Sequence, residues 1–159
     1  MIKKVFYCDM DGVIADFYKM ENALERFKNE MSFFFRLPTI EENVKGLKEI
    51  IEKGEKVKII TTSPNIRADY DKMKWLEKYF PEIDKKDIIF CRPHEKKIDK
   101  VPKRLRKKAV LFDDYGKNIK EWVENGGLYS VKITEKIPDI PLKKVYYFEN
   151  IKSFNRIVL

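Results

Sequence analysis

Short apolar runs alternate with amphipathic segments along most of the chain. Runs of about four to eight residues that are rich in β-branched and aromatic side chains predict buried strands. Such runs begin at Val5, Lys56, Asp87, Ala109, Leu128 and Lys144. Because the segments between them predict helices, the pattern indicates an α/β fold with a mostly parallel sheet flanked by helices.

Two of the intervening segments predict helices of several turns. Thr39 and Glu42 have the spacing of a capping box, in which the side chains satisfy free backbone N–H groups, so one helix is predicted to begin at Thr39. Residues 63–80 predict another helix, whose inner, apolar face comprises Ile66, Tyr70, Met73, Leu76 and either Tyr79 or Phe80. Shorter helices are predicted over residues 118–124 and 151–158.

The stretch that follows the first strand predicts a separate small element. Its apolar residues, spaced by three and four, are Phe17, Met20, Leu24, Phe27, Met31 and Phe34. This spacing predicts one amphipathic helix, and we expect it to fold over the sheet as a small helical cap at about residues 15–37. A chain of 159 residues without a linker-like stretch predicts a single domain, residues 1–159, that carries this insert.

Composition excludes several classes of protein. Apolar residues make up 43% of the chain, which is typical of a globular protein and not of a disordered one. No apolar run reaches the length of a membrane span, so we expect a cytoplasmic protein without a membrane partner. The net charge of +8 favours anionic partners without specifying a reaction.

Polar residues collect where the predicted strands end. Asp9 and Asp11 close the first strand, Thr62 follows the second and Asp113 follows the fourth. The carboxyl ends of parallel strands meet at one edge of the sheet, so we expect these four side chains to converge there. Gly12, next to Asp11, permits an unusual turn and the close approach of a ligand.

These residue types suit phosphate-ester hydrolysis through a covalent intermediate. Asp9 is the candidate nucleophile, and Asp11 is the candidate that protonates the leaving oxygen and later deprotonates water. Mg²⁺ prefers carboxylates, and Asp9, Asp113 and the main-chain carbonyl of Asp11 offer a site for it. Thr62 and a lysine would grip the phosphoryl oxygens. The candidate lysines are Lys96 or Lys97, which are preferred, and Lys103.

The ordered motifs resemble those of the haloacid dehalogenase (HAD) superfamily of phosphohydrolases. They are DMDGV at Asp9–Val13, Thr62 by preference in IITTS, a lysine, and LFDD at Leu111–Asp114. The resemblance implies a Rossmann-like fold and Mg²⁺ held at Asp9, Asp11 and Asp113. Because dehalogenases of this superfamily lack the second aspartate, Asp11 indicates phosphatase or phosphotransferase chemistry.

Longer stretches resemble the 5′(3′)-deoxyribonucleotidase group. They are DMDGVIADF, ITTSPN, KWLEKYF and FDDYGKNIKEW, and the likeness covers about the first four-fifths of the chain. It implies hydrolysis of nucleoside monophosphates, phosphate binding by Thr62 and Ser63, and support of the metal by Asp114. The predicted cap is shorter than the cap of that group.

Several alternatives fit the same sequence. Phe17 and Phe34 suit either stacking on a nucleobase or the packed core of the cap. The substrate is a nucleotide, another small phosphate ester or a terminal phosphate of nucleic acid. The basic run at residues 96–108 favours a solvated face, but it also fits a nucleic-acid-binding protein with a vestigial site. The sequence sets no oligomeric state.

Overall fold

The computed structural model describes residues 3–159 and contains a sheet of six parallel strands, as the sequence predicts. The strands run in the order β3-β2-β1-β4-β5-β6, the doubly wound Rossmann arrangement. Each strand begins within one residue of its predicted start. The strands are β1 Val5–Cys8, β2 Lys56–Thr62, β3 Ile88–Cys91, β4 Ala109–Asp113, β5 Tyr129–Ile133 and β6 Val145–Phe148.

Helices cover both faces of this sheet. They are α1 Ala23–Arg26, α2 Glu41–Glu52, α3 Ile66–Tyr79, α4 Lys103–Arg106, α5 Gly116–Glu124 and α6 Ile151–Val158. Phe6 and Phe112 point to the face that α2, α3 and α6 cover, while Tyr7 and Leu111 point to the face that α5 covers. Because successive side chains of a strand point to opposite faces of the sheet, they pack into two separate cores.

The prediction of one amphipathic helix over residues 17–34 is wrong. Single turns of 3₁₀ helix at Phe17–Lys19 and Phe34–Arg36 flank the short helix α1. Asn22 and Ser32 adopt left-handed backbone angles, with φ of 55° and 58°, which interrupt a right-handed helix on either side of α1. As a result Leu24 and Met31, predicted to face inward, lie exposed.

The capping box predicted for α2 is also absent. The helix begins at Glu41, and its N-cap Ile40 makes no side-chain capping bond. Thr39 instead forms an isolated bridge with Ala15, in the loop after β1. Backbone pairing across this loop thus displaces the local capping interaction that the sequence favours.

The inner face of α3 matches its predicted face only in part. Leu76 and Phe80 are buried as predicted, but Ile66 and Tyr70 are 79% and 63% exposed, and Lys72 and Trp75 are fully buried. The helix begins after Asn65, whose side chain accepts a hydrogen bond of 2.9 Å from the Ala68 N–H. The rotation of the buried face brings a lysine into the protein interior.

Helix α6 docks closely on α2 through small and amide side chains. Asn43 donates to the Val13 carbonyl at 2.7 Å and accepts from the Ile151 N–H at 2.8 Å, which joins α6 to the loop after β1. Asn155 donates to the Gly46 carbonyl at 2.8 Å. A Cβ placed on Gly46 would lie 2.7 Å from the Lys152 nitrogen, so the two backbones touch here.

Gly46→Ala should therefore lower the free energy of unfolding. Overpacking against a backbone costs about 1–3 kcal/mol, whereas replacing a helical glycine by alanine returns about 0.5–1 kcal/mol. Urea denaturation of the variant and of the control Lys45→Ala, at the exposed neighbouring position, measures the difference. Stability equal to or above that of the wild type would contradict the close packing of α2 and α6.

Candidate active site

Asp9 lies where β1 ends, at the centre of the sheet. Its N–H donates to the Phe112 carbonyl at 2.9 Å, which holds it beside the end of β4. The residue is 7% exposed. Strands β2 and β4 flank β1 on opposite sides, so this is the point where the strand order reverses and where ligands bind in open α/β sheets.

Lys97 bridges two of the carboxylates. It lies on a turn of 3₁₀ helix after β3, and its Nζ is 2.7 Å from Asp9 Oδ1 and 2.8 Å from Asp113 Oδ2. Lys97 is 3% exposed, whereas Lys96 and Lys103 lie on the surface. Of the three lysines considered from the sequence, Lys97 is the one that the fold brings into contact with Asp9.

Both carboxylate oxygens of Asp113 are engaged. Oδ1 accepts from the Tyr115 N–H at 2.9 Å, and Oδ2 accepts from Asn118 at 3.0 Å in addition to Lys97. The neighbouring Asp114 lies against Gly12, where a Cβ would overlap its carboxylate. Gly12 has a φ of 83°, so both its backbone angle and its missing side chain are needed beside Asp114.

Asp9, Asp113 and Asp114 form a cluster with more negative charge than Lys97 neutralises. A carboxylate oxygen of each lies within 4.8 Å of the other two. Burial, followed by the charge of Asp113, raises the pKa of Asp9 well above its usual value and that of Asp114 to about 7. Burial opposes the charge of Lys97, but Asp113 and Asp9 outweigh it and raise its pKa. Uncompensated carboxylates at this spacing fit a divalent cation.

The Asp11 side chain turns away from that cluster to Lys72, a residue that sequence reasoning missed. Lys72 Nζ donates to Asp11 Oδ2 at 2.6 Å, to Thr61 Oγ1 at 2.9 Å and to the Thr62 carbonyl at 2.6 Å. The spacing in the sequence could have indicated this, because Lys72 lies four residues after Ala68 and three before Trp75. Residues at these spacings share one face of a helix, and Ala68 and Trp75 are both buried on α3.

Thr62 and Ser63 follow the Asp11 contact at the end of β2. Thr62 lines the cleft above Asp9. Ser63 is buried and does not line the cleft, and its Oγ donates to the Asn65 carbonyl at 3.3 Å. The Ser63 N–H donates to the Cys91 carbonyl at 2.8 Å. The structure therefore brings Thr62 to the same space as Asp9 and holds Ser63 just behind it.

A cleft of about 430 Å³ opens over these groups. It is lined by Asp9, Asp11, Tyr18, Thr62, Pro93, His94, Glu95, Lys96, Lys97, Asp114, Tyr115, Lys117, Asn118 and Glu121. Phe17 and Phe34 are 8% and 2% exposed and pack with Phe27 and Phe33. The aromatic residue of this segment that reaches the cleft is Tyr18, which is 70% exposed.

The sheet is parallel, and its carboxyl edge carries the carboxylates and the lysine. This arrangement is that of a HAD-superfamily phosphatase, as the resemblance implies. The chain matches the family described as 5′ nucleotidase, deoxy (pyrimidine), cytosolic type C protein (NT5C) over residues 19–137. It belongs to this family, and it is a nucleotidase-like phosphatase.

Solved structures share the fold at low sequence identity. D,D-heptose 1,7-bisphosphate phosphatases from Burkholderia thailandensis and B. bronchiseptica superpose with TM-scores of 0.62 and 0.64 at 12% and 10% identity, and each comparison covers 96% of both chains. A haloacid dehalogenase-like family hydrolase from Xanthomonas campestris gives a TM-score of 0.63 at 12% identity over 98% of this chain and 94% of its own. No curated protein matches the sequence.

Among residues 3–159, none of the helices is both long and apolar enough to cross a membrane. Cys8 and Cys91 are buried free thiols.

The raised pKa of Asp114 predicts how the metal-free protein responds to pH. Between the ordinary pKa of 3.8 and about 7, folded Asp114 holds a proton that the unfolded chain releases, so stability falls as pH rises through this window. Urea denaturation in EDTA at pH 5 and pH 8 should show a smaller loss for Asp114→Asn than for the wild type. The exposed Asp84→Asn serves as the control, and an unchanged loss in Asp114→Asn would contradict this assignment.

Proposed function

We propose that this phosphatase is a Mg²⁺-dependent 5′(3′)-nucleotidase, which hydrolyses (deoxy)nucleoside monophosphates through a phosphoryl group carried on Asp9. The observation that carries the proposal is the bridge from Lys97 to Asp9 and Asp113 at the switch point of the sheet. Membership of the nucleotidase family supports the nucleotide as substrate. It also favours an enzyme over a nucleic-acid-binding protein with a vestigial site.

Asp9 would act as the nucleophile. Lys97 donates to Oδ1 and Asp9 lines the cleft, which supports attack on phosphorus by the other carboxylate oxygen. That oxygen forms a bond to phosphorus as the ester bond breaks, and the leaving oxygen takes a proton from Asp11. Water then attacks phosphorus and gives a proton to Asp11, which releases inorganic phosphate and restores Asp9.

The acidic cluster fits Mg²⁺. Asp9 and Asp114 would hold the ion, with Asp113 beside them and the main-chain carbonyl of Asp11 as a further oxygen, since the Asp11 side chain is taken by Lys72. When bound, Mg²⁺ supplies positive charge between the nucleophile and the phosphate. The residues fit because the raised pKa values of Asp9 and Asp114 mark negative charge that Lys97 leaves uncompensated.

The phosphoryl oxygens would be held from two strands. Lys97 brings a buried positive charge, and Thr62 brings a hydroxyl at the edge of the cleft. Ser63 would add support from its position behind Thr62. Lys96 lies at the mouth of the same cleft, where it would attract an anionic substrate.

The segment at about residues 15–37 would act as a small cap over the substrate. Its buried rings, Phe17 and Phe34, form the interior of the cap, and Tyr18 presents the ring that reaches the cleft. This arrangement leaves little enclosed aromatic surface for a base, which favours another small phosphate ester as the second candidate substrate. Two of the superposed structures are named D,D-heptose 1,7-bisphosphate phosphatases, which supports an ester of that kind as the second candidate.

Asp9→Asn should lower phosphate release by about 10⁴-fold or more, since loss of a nucleophile removes the covalent route. Circular dichroism confirms that the variant is folded, and the exposed Asp139→Asn is the matched control. Phosphate release is measured with Mg²⁺ and with EDTA. Full metal-dependent turnover by Asp9→Asn would contradict the mechanism.

A substrate panel should show the highest kcat/KM for a nucleoside monophosphate. The panel contains 5′- and 3′-(deoxy)nucleoside monophosphates, sugar phosphates and a 3′-phosphorylated oligonucleotide. Preference for a sugar phosphate would support the second candidate and overturn the nucleotidase proposal. Turnover of the oligonucleotide alone would indicate a nucleic-acid end as the substrate.

A further inference from the structure

Lys72 is a fully buried lysine whose ammonium group is surrounded by polar partners. It lies on α3, and its three hydrogen bonds reach Asp11 Oδ2, Thr61 Oγ1 and the Thr62 carbonyl at 2.6–2.9 Å. The ring of Phe34, from the segment over the site, lies 4.5 Å from Nζ and covers it. Strand β2, helix α3 and the cap segment therefore hold this ammonium in one place.

The contact makes the two carboxylate oxygens of Asp11 different. Oδ2 is taken by Lys72, whereas Oδ1 is shielded from solvent and has no hydrogen-bond partner among residues 3–159. Asp11 also lines the cleft that Asp9 shares. A carboxylate held through one oxygen has a fixed orientation.

A purely structural role explains the lysine poorly. Burying an ammonium group costs several kcal/mol of desolvation, and an apolar side chain of similar volume fills such a site as well or better. The two bonds from Lys72 to β2 satisfy the lysine without contributing to the sheet pairing, which runs through backbone groups. The partner that gains a defined position from Lys72 is Asp11.

We propose that Lys72 is the positioning residue for Asp11: anchored on Thr61 and Thr62, it orients the carboxyl toward the leaving oxygen of the substrate. The inference rests on the proposed function, in which Asp11 gives a proton to the leaving oxygen as the ester bond breaks. Help from Asp11 is essential when the leaving group is an alkoxide, as in a nucleoside monophosphate. In this first step it matters little when the leaving group is p-nitrophenolate, which departs without a proton, whereas the later attack of water uses Asp11 with either substrate.

The test compares Lys72→Met on these two kinds of substrate at saturating Mg²⁺. General acid catalysis contributes about 10²–10⁴-fold, so kcat/KM for the nucleoside monophosphate, which reports the steps up to departure of the leaving group, should fall by about 10²-fold. On p-nitrophenyl phosphate, kcat/KM should stay within about fivefold of wild type, while kcat falls with both substrates because the attack of water also uses Asp11. Lys74→Met, at an exposed position on the same helix, is the matched control and should leave both activities unchanged.

Two further variants keep the test decisive. Thr61→Val removes one anchor of Lys72 while keeping the shape of the side chain, so it should give a smaller loss with the same selectivity for the alkoxide substrate. In an Asp11→Asn background, Lys72→Met should add no further loss, because both act through one group. If Lys72→Met fails to fold, Thr61→Val decides.

Equal losses of kcat/KM on the two substrates, or no loss of kcat/KM on the nucleotide, would overturn the role of Lys72. Additive losses of Lys72→Met and Asp11→Asn would do the same. Failure of the proposed function looks different, because the wild type would then release no phosphate from either substrate, or Asp9→Asn would stay active.

Discussion

The site depends on one ammonium group placed between two buried carboxylates. Lys97 reaches from the turn after β3 to Asp9 after β1 and Asp113 at the end of β4, so its two bonds hold the ends of three strands in one arrangement. Removal of one partner from such a buried group leaves uncompensated charge at a cost of several kcal/mol. The same interaction that stabilises this edge of the sheet therefore positions Asp9, the proposed nucleophile.

A second buried lysine contacts the neighbouring aspartate, Asp11. Lys72 holds Asp11 from α3 and β2, whereas Lys97 holds Asp9 from the turn after β3. The two aspartates, only two residues apart, thus receive different partners and different surroundings. Asp114, which lies against Gly12, has no direct contact with Lys97 such as Asp9 and Asp113 have, and burial and the charge of Asp113 raise its pKa to about 7.

The strands and the positions of the strand-end residues followed from the sequence because short apolar runs and their polar ends are local signals. The segment over the site did not follow, since left-handed angles at Asn22 and Ser32 break a spacing that favours one helix. The lysine contacts also required the fold. Lys97 is 88 residues from Asp9 in the sequence, so only the folded structure shows which of the three candidate lysines contacts Asp9. Lys72 escaped notice because a charged residue at an inward helical position contradicts the usual pattern.

Identification of the residue that carries the phosphoryl group during turnover tests the central claim most directly. Borohydride added to the enzyme turning over a nucleoside monophosphate reduces an aspartyl phosphate to homoserine, which peptide mass spectrometry then locates. The account predicts homoserine at position 9 in a Mg²⁺-dependent yield. Substrate consumption without reduction at position 9, or with reduction at another aspartate, would contradict it.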